Sequence, residues 1–435
     1  MDADGPTTPP NRTTCAIAGG GPAGLVLGLL LARAGVAVTV LEKHADFLRD
    51  FRGDTVHPST LALLDDLGLF DRFDRIPQAH LRQVPFPGAG DDTVLADFPR
   101  LPVRHPYIAM VPQWDLLDLI AEAASEEPSF TLCTEHEVTG VIQDGDRVTG
   151  LTYTAPTGDG RILADLTVAC DGRHSTVRRA VRPSIITHPC RFDVWWYRIP
   201  TAHHVGEALL PRTRAGRIAI AIPRTGYLQV AALGLKDSDA PLGAEGLAAL
   251  RSATAELLPE VAGDVDALTS PDDVKRLDVR VDRLRRWHRP GVLCIGDAAH
   301  AMSPVGGVGI NLAVQDAIAA ARILAAGLRS GGFGDTAGDR LLARVQRRRL
   351  APTIIIQGLQ RVLHAGVIAP VLRGETIRPP RLLVGALRRF PALSVVPAFL
   401  IGIGPRPERA PVWARRPAPS RRRTPSRREG SPDDQ

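Results

Sequence analysis

Three glycines, Gly19, Gly21 and Gly24, stand at G-x-G-x-x-G spacing, which suits the holding of a pyrophosphate against bare backbone. Gly19 allows a tight turn, Gly21 lets the backbone approach the phosphates, and Gly24 permits close packing of a helix on a strand. Pro22, next to Ala23, presets helical φ in the first turn, where its missing N–H costs nothing, so the free N–H groups and the positive helix end face the anion. Glu42, 23 residues after Gly19, can accept both hydroxyls of an adenosine ribose and would repel a 2′-phosphate. Two later stretches carry similar chemistry. In CDGRHSTVRR, Asp171 precedes Arg178 and Arg179, and in GDAAHAMSPVGGVGIN, Asp297 is followed by Gly306, Gly307 and Gly309, whose bare N–H groups fall where a helix begins. On these residues alone the dinucleotide is NAD or FAD.

These residues need particular elements to position them. Apolar residues Cys15 to Ala18 read as a strand, followed by an apolar helix and a second strand, Val36 to Leu41, which ends at Glu42. Arg52 falls in the connection before a helix that starts near Ser59 or Thr60 and ends at Gly68. The proline-rich residues 76 to 106, with a strand-like piece from Asp92 to Phe98, read as an insertion, and Gln113 opens an amphipathic helix. Thr131 to Cys170 reads as an antiparallel meander turning at Asp144–Asp146 and Gly158–Gly160, and it delivers Asp171 to a strand's carboxyl end, where α/β sheets bind ligands. Residues 184 to 280 are β runs with a helix from Ala244 to Leu258, a separate sheet-based domain. An apolar strand, Val292 to Ile295, then ends at Gly296-Asp297, with a long alanine-rich helix from near Gly309. The class is α/β.

The chain has 435 residues and a formal charge of +6, of which residues 406 to 435 carry +5 through nine Arg and four acids. The remainder is nearly neutral, so no specific nucleic-acid partner is expected. The Pro/Arg/Ser-rich composition of residues 406–435 predicts disorder. Five cysteines (Cys15, Cys133, Cys170, Cys190, Cys294) show no metal spacing, and the first residues lack an apolar leader core; both predict a cytoplasmic protein. Pro391 to Gly404 is apolar but too short for the roughly 20 residues of a bilayer span. It leaves room for peripheral membrane contact without giving grounds to expect it.

Together these motifs resemble the FAD-dependent aromatic hydroxylase family, the p-hydroxybenzoate hydroxylase-like flavoprotein monooxygenases, over residues 14 to 405. The resemblance implies an FAD-binding, Rossmann-like three-layer domain of the glutathione-reductase type with an inserted sheet-based substrate domain. The expected division is 12–75, 104–183 and 276–370 for FAD, 76–103 and 184–275 for substrate, 371–405 as a C-terminal helical region and 406–435 as the tail. GGGPAG with Glu42 resembles the family's ADP site. Asp171 would lie near the pyrophosphate and serve reduced-nicotinamide use, and Asp297 would bind the ribityl chain. The helix N-terminus at Gly307, Gly309, Ile310 and Asn311 would face the flavin pyrimidine, with Pro304 and Val305 on the ring's substrate side. Lys43, Arg52, Gln113 and Val138 complete the implied cofactor set. The implied reaction takes NADH or NADPH and O2, and hydroxylates an aromatic or polyketide-like molecule through a flavin C4a-hydroperoxide.

The sequence selects no acid/base residue among Tyr197, Tyr227, His57 and His300. Trp195, Trp196, Tyr197 and Tyr227 are available to line a substrate pocket, and alternation alone does not say which face it. Two rival readings stay open: a flavin-dependent reductase of isoprenoid lipids, and a non-catalytic chaperone of the GDP-dissociation-inhibitor type. VWWYRIP only approximates the W-x-W-x-I-P of flavin halogenases.

Overall fold

A computed structural model describes residues 8–48, 55–86, 93–203, 210–214, 216–236, 243–334, 336–375 and 380–416. The strand Arg12–Ala18 pairs in parallel with Val38–Leu41 on one side and Gly158–Ala169 on the other. Phe130–Cys133 and Val292–Cys294 extend the parallel sheet at either end. Their central stretches, Cys15–Ala18, Val38–Leu41, Leu166–Ala169 and Val292–Cys294, are buried, as parallel strands covered on both faces must be. The helix Pro22–Arg33 is buried along most of its length and packs against Val308–Arg329 and Gln113–Ser125.

The predicted meander is shifted. Phe130–Cys133 belongs to the parallel sheet, because the preceding helix Gln113–Ser125 provides the crossover that parallel pairing requires. The antiparallel ribbon is Glu137–Asp144, Arg147–Ala155 and Gly158–Ala169, and its second turn falls at Pro156-Thr157. Other limits move by a residue or two. The helix before Gly68 is Pro58–Leu67, since Pro58 fits the first helical position, and Gly68 closes it at φ 75°.

A second sheet, antiparallel throughout, runs in the order Leu210–Arg214, Arg217–Arg224, Tyr227–Leu235, Phe192–Pro200, Lys275–Leu277. Along Phe192–Pro200 alternate side chains serve two cores. Val194 and Trp196 pack with Ile218, Ile222 and Leu233, while Trp195, Tyr197 and Ile199 pack toward the helix Ala244–Leu257. In the proline-rich insertion Val94–Asp97 pairs with Gln83–Pro85, and the helix Val395–Gly402 covers that strand.

The predicted disorder from residue 406 is corrected for residues 406–416, which dock on the protein. Glu408 is buried, its carboxylate receiving Arg322 at 2.6 Å and Arg348 at 2.5 Å, while Arg409 pairs with Asp66 and Ala410 and Ala414 are buried. Composition tallies charge without its partners, and here the partners lie elsewhere in the chain. The rest of that expectation, residues 417–435, lies outside the described residues.

Candidate active site

The glycine turn is built as its spacing requires. Gly19 has φ 96°, and its N–H donates to the Leu41 carbonyl at 2.8 Å, locking the first strand's end to the second. A Cβ on Gly24 would lie 2.0 Å from the Gly19 carbonyl oxygen, so Gly24 is the point of closest helix–turn approach. A Cβ on Gly21 would meet no protein atom within 4 Å, so the helix N-terminus opens into free space. Glu42 is buried at the end of the second strand. Its two oxygens accept from Gly20 N at 2.8 Å and His44 N at 3.0 Å, which fixes the carboxylate at the cavity's edge.

These elements border a cavity of about 1510 Å³. Gly19, Gly21, Pro22, Ala23, Glu42, Lys43, Gln113, Val138, Asp171, Asp297, Pro304, Gly307, Gly309 and Ile310 all line it. The sequence thus singles out residues that converge from five parts of the chain. Gly24 stands back, in its packing role. Asn311 also stands back, contrary to expectation: its buried amide oxygen accepts from Ser59 Oγ and from Thr60 Oγ1 at 3.1 Å, so its side chain ties two helices together. Arg52 lies outside the described residues.

Asp171 lines the cavity, yet its Oδ2 is engaged by the N–H groups of Thr176 (2.8 Å) and Val177 (3.2 Å) at the start of the helix Thr176–Val181. Burial pushes its pKa up, against the pull of those hydrogen bonds. Arg173, to which the sequence reading gave no role, links the second and third motifs. Its Nη2 donates to Asp297 Oδ2 at 3.0 Å and its Nη1 to the Asp278 carbonyl at 3.2 Å. No spacing rule pairs residues 124 positions apart.

Asp297 sits on the short turn Gly296–Ala298. That turn is held from behind by Asp316, whose Oδ2 accepts from Gly296 N at 3.2 Å and contacts His300 Nε2 at 2.5 Å, while its Oδ1 accepts from Arg349 Nε at 2.9 Å. Burial acts to raise the Asp316 pKa, but the charges and hydrogen bonds of His300 and Arg349 prevail and hold it below the usual range. The next loop is held from the long helix Thr336–Leu363 and its continuation. Gln360 Nε2 donates to the carbonyls of Ser303 (2.8 Å) and Val305 (3.1 Å), and His364 Nε2 meets Ser303 Oγ at 2.9 Å. Gly307, at φ 64°, then caps the helix Val308–Arg329.

None of the four acid/base candidates lines the cavity. His300 is committed to Asp316, and Tyr197 hydrogen-bonds Thr254 at 2.6 Å, with burial pushing its phenol pKa up. Tyr227 lies 5.2 Å from the Arg198 guanidinium. His57 is buried with Nδ1 donating to the Ile401 carbonyl at 2.9 Å, and burial pushes its pKa down to about 4. The far end of the cavity is apolar, walled by Val194, Trp196, Ile218, Ile220, Leu233 and Ile368. Of the four aromatic residues expected at a substrate pocket, Trp196 alone is there.

The residues fit FAD. An anion-ready helix end, a pinned acid at the end of the neighbouring strand, a second acid on a strand end and a glycine-capped helix share one cavity too large for a single small ligand, which takes roughly 300–1000 Å³. Fold and site define an FAD-binding flavoprotein of the glutathione-reductase type with an inserted substrate sheet. The chain belongs to the family described as FAD binding domain, whose profile matches residues 12–354. It is 34% identical over 344 residues to a 6-methylpretetramide 4-monooxygenase of Streptomyces rimosus, covering 77% of this chain and 80% of that one. It is 28% identical to a protoasukamycin 4-monooxygenase of Streptomyces nodosus subsp. asukaensis, covering 85% and 95%. The solved anhydrotetracycline hydroxylase from Streptomyces rimosus superposes with a TM-score of 0.72 at 28% identity, over 90% of this chain and 76% of that one. The protein is an FAD-dependent monooxygenase with NADH or NADPH as electron donor, acting with O2 on a small organic substrate. The reductase and chaperone readings are not favoured.

Proposed function

We propose that the enzyme hydroxylates a polycyclic aromatic, polyketide-like molecule held at the apolar end of the cavity. The observation that carries this reading is the continuity of one cavity from the glycine turn to the wall formed by Val194, Trp196 and Ile218. The 6-methylpretetramide and protoasukamycin monooxygenases to which the chain is similar support the same substrate class.

In this reading Gly21 and Ala23 present N–H groups to the pyrophosphate at the turn shaped by Gly19 and Pro22, and Glu42 accepts the ribose hydroxyls. Lys43, Arg52, Gln113 and Val138 contact the cofactor further along. Asp297, steadied by Arg173, takes the ribityl hydroxyls, and Asp171 shapes the neighbouring loop through its hold on the helix at Thr176. Pro304, Gly307, Gly309 and Ile310 face the ring, with the backbone N–H groups of Gly309 and Ile310, in the first turn of the helix, placed to stabilise negative charge there. Asn311 acts from behind, fixing that helix to Ser59 and Thr60. Bound FAD supplies hydride acceptance and oxygen activation. The apolar wall excludes water and orients the aromatic face. Residues 12–75, 104–183 and 276–370 then serve the cofactor, 76–103 and 184–275 the substrate, and 371–405 close the apolar end.

An oxygen electrode tests this. Hydroxylated tri- and tetracyclic aromatic ketones should accelerate NAD(P)H oxidation and O2 uptake, with one 18-O atom from labelled O2 in the product. Unlabelled product, or a rate unchanged without oxygen, overturns the reading.

A further inference from the structure

The C-terminal helices present an apolar face that the protein itself does not cover. Arg381–Arg389 and Pro391–Gly402 meet at a bend of 110°, and Leu382, Leu383, Phe390, Leu393, Val396 and Phe399 are exposed along them, Leu382 by 91%. Val362, which lines the same cavity as Leu383, and Ile355, two turns before it on the helix Thr336–Leu363, are also exposed. Isolated exposed apolar residues need no explanation, but a contiguous set of this size does.

Its charge identifies what covers it. From Thr376 to Pro407 the sequence contains five arginines and no acid. Arg361, Arg381, Arg388 and Arg389 lie exposed around the apolar side chains, with Arg388 donating to Thr93 Oγ1 and Arg389 stacked 5.2 Å from the Phe390 ring. Apolar side chains flanked by these four arginines match a membrane interface bearing anionic lipid. The geometry excludes a span by these elements. On either side of the 110° bend, Arg381–Arg389 is about 13 Å long and Pro391–Gly402 about 18 Å at 1.5 Å per residue, each short of a hydrocarbon core of about 30 Å. The helical run Thr336–Leu372 is long and apolar enough to cross, but its other face is engaged by the enzyme. There Gln357 donates to the Asp282 carbonyl and Gln360 to that of Ser303.

We propose that this face seats the enzyme on an anionic bilayer surface, with the two bent helices lying in the interface. The sequence reading gave no grounds to expect contact, because apolar content alone does not tell buried from exposed side chains. The placement has a functional corollary: Val362 and Leu383 belong both to the exposed face and to the lining of the large cavity, so the cavity opens where the bilayer would lie. A water-poor, lipid-soluble substrate could then enter without crossing solvent.

The test is flotation of the full-length, flavin-loaded enzyme with vesicles of equal parts phosphatidylglycerol and phosphatidylcholine, and with phosphatidylcholine alone. The enzyme should float with the anionic vesicles at least tenfold better than with the neutral ones. The double variant Leu382→Glu/Phe390→Glu should lose at least tenfold of that binding. Neither residue lines the cavity, so flavin content and unstimulated NAD(P)H oxidation should stay unchanged. Failure of the wild type to float, or equal flotation of the variant, which would place the binding in the arginine-rich residues beyond 416, overturns the proposal. So does a dimer in sedimentation velocity that the double variant dissociates, since the face would then belong to a second copy. The hydroxylation assay in detergent-free buffer is independent of all these outcomes.

Discussion

At the cofactor end backbone at Gly19, Gly21, Gly306 and Gly307 faces the cavity, and the side chains of Glu42, Asp171 and Asp297 there are pinned by hydrogen bonds to other groups. At the substrate end the wall is made of side chains from an antiparallel sheet, and Val194, Trp196 and Ile218 owe their place only to alternation. At Gly19 and Gly307 a Cβ would collide with the Cys170 carbonyl or the Thr55 side chain, and at Gly21 it would fill the space left for the phosphates, so this wall tolerates little change in residue type. A side-chain wall can be reshaped residue by residue. Cofactor chemistry is therefore fixed while substrate choice is adjustable within one fold.

That contrast can be broken at its support. Arg349 is buried between Asp316 and Glu408 and holds the turn bearing Asp297. Arg349→Met should cost about 3–5 kcal/mol in denaturant unfolding, the loss typical when one partner of a buried ion pair is removed. A loss under about 1 kcal/mol would mean the cofactor end stands without its C-terminal strap.

Acidification probes the seam where His57 supports Gly307. The folded protein keeps this imidazole neutral down to about pH 4, whereas the unfolded chain protonates it near pH 6.5, so the unfolded state binds more protons between those values. Stability then falls as pH drops through that window, by on the order of 3 kcal/mol from this one group. His57→Asn should unfold with a visibly flatter pH dependence than the wild type. Equal slopes would remove His57 from the account.

A smaller effect is expected at Asp297. Asp297→Ala should weaken FAD at least tenfold, about 1.4 kcal/mol, in a flavin fluorescence titration, while far-ultraviolet circular dichroism stays that of the folded protein. Full flavin retention would reassign the third motif.

The smallest effect sharpens the other end. Trp196→Ala should raise substrate KM several-fold and increase peroxide release, while Trp195→Ala, on the opposite face of the same strand, should leave both near wild type. Reversed effects would invert the register of the wall.

The same contrast governs what could be read without a structure. Gly19, Gly21, Gly24 and Glu42 are legible because backbone geometry constrains residue type over a short contiguous stretch. The strand-end acids Asp171 and Asp297 are legible because each ends an apolar strand run and precedes a helix start. Arg173 to Asp297, Arg349 to Asp316 and Gln360 to Ser303 are not, since each joins distant segments and leaves no periodic mark. Asn311 misleads because a motif position says which helix turn it occupies, not which way the amide points. The second sheet is legible as a sheet, but Trp195 and Trp196 become distinguishable only once the helix Ala244–Leu257 is seen to cover one face. Residues 406–416 look unstructured because Glu408 has no partner near it in sequence.

That docked segment also sets a biosynthetic order. Glu408 follows Asp316 by 92 residues, and Arg349, which touches both, is made in between. At roughly 5–20 residues per second, a ribosome needs roughly 5–20 s to pass from the first of these acids to the second. During that interval the nascent chain carries the Asp297 turn with one of Arg349's two acidic partners still missing. The flavin cradle, encoded in part from residue 19 onward, reaches its final charge balance only after translation has passed residue 408.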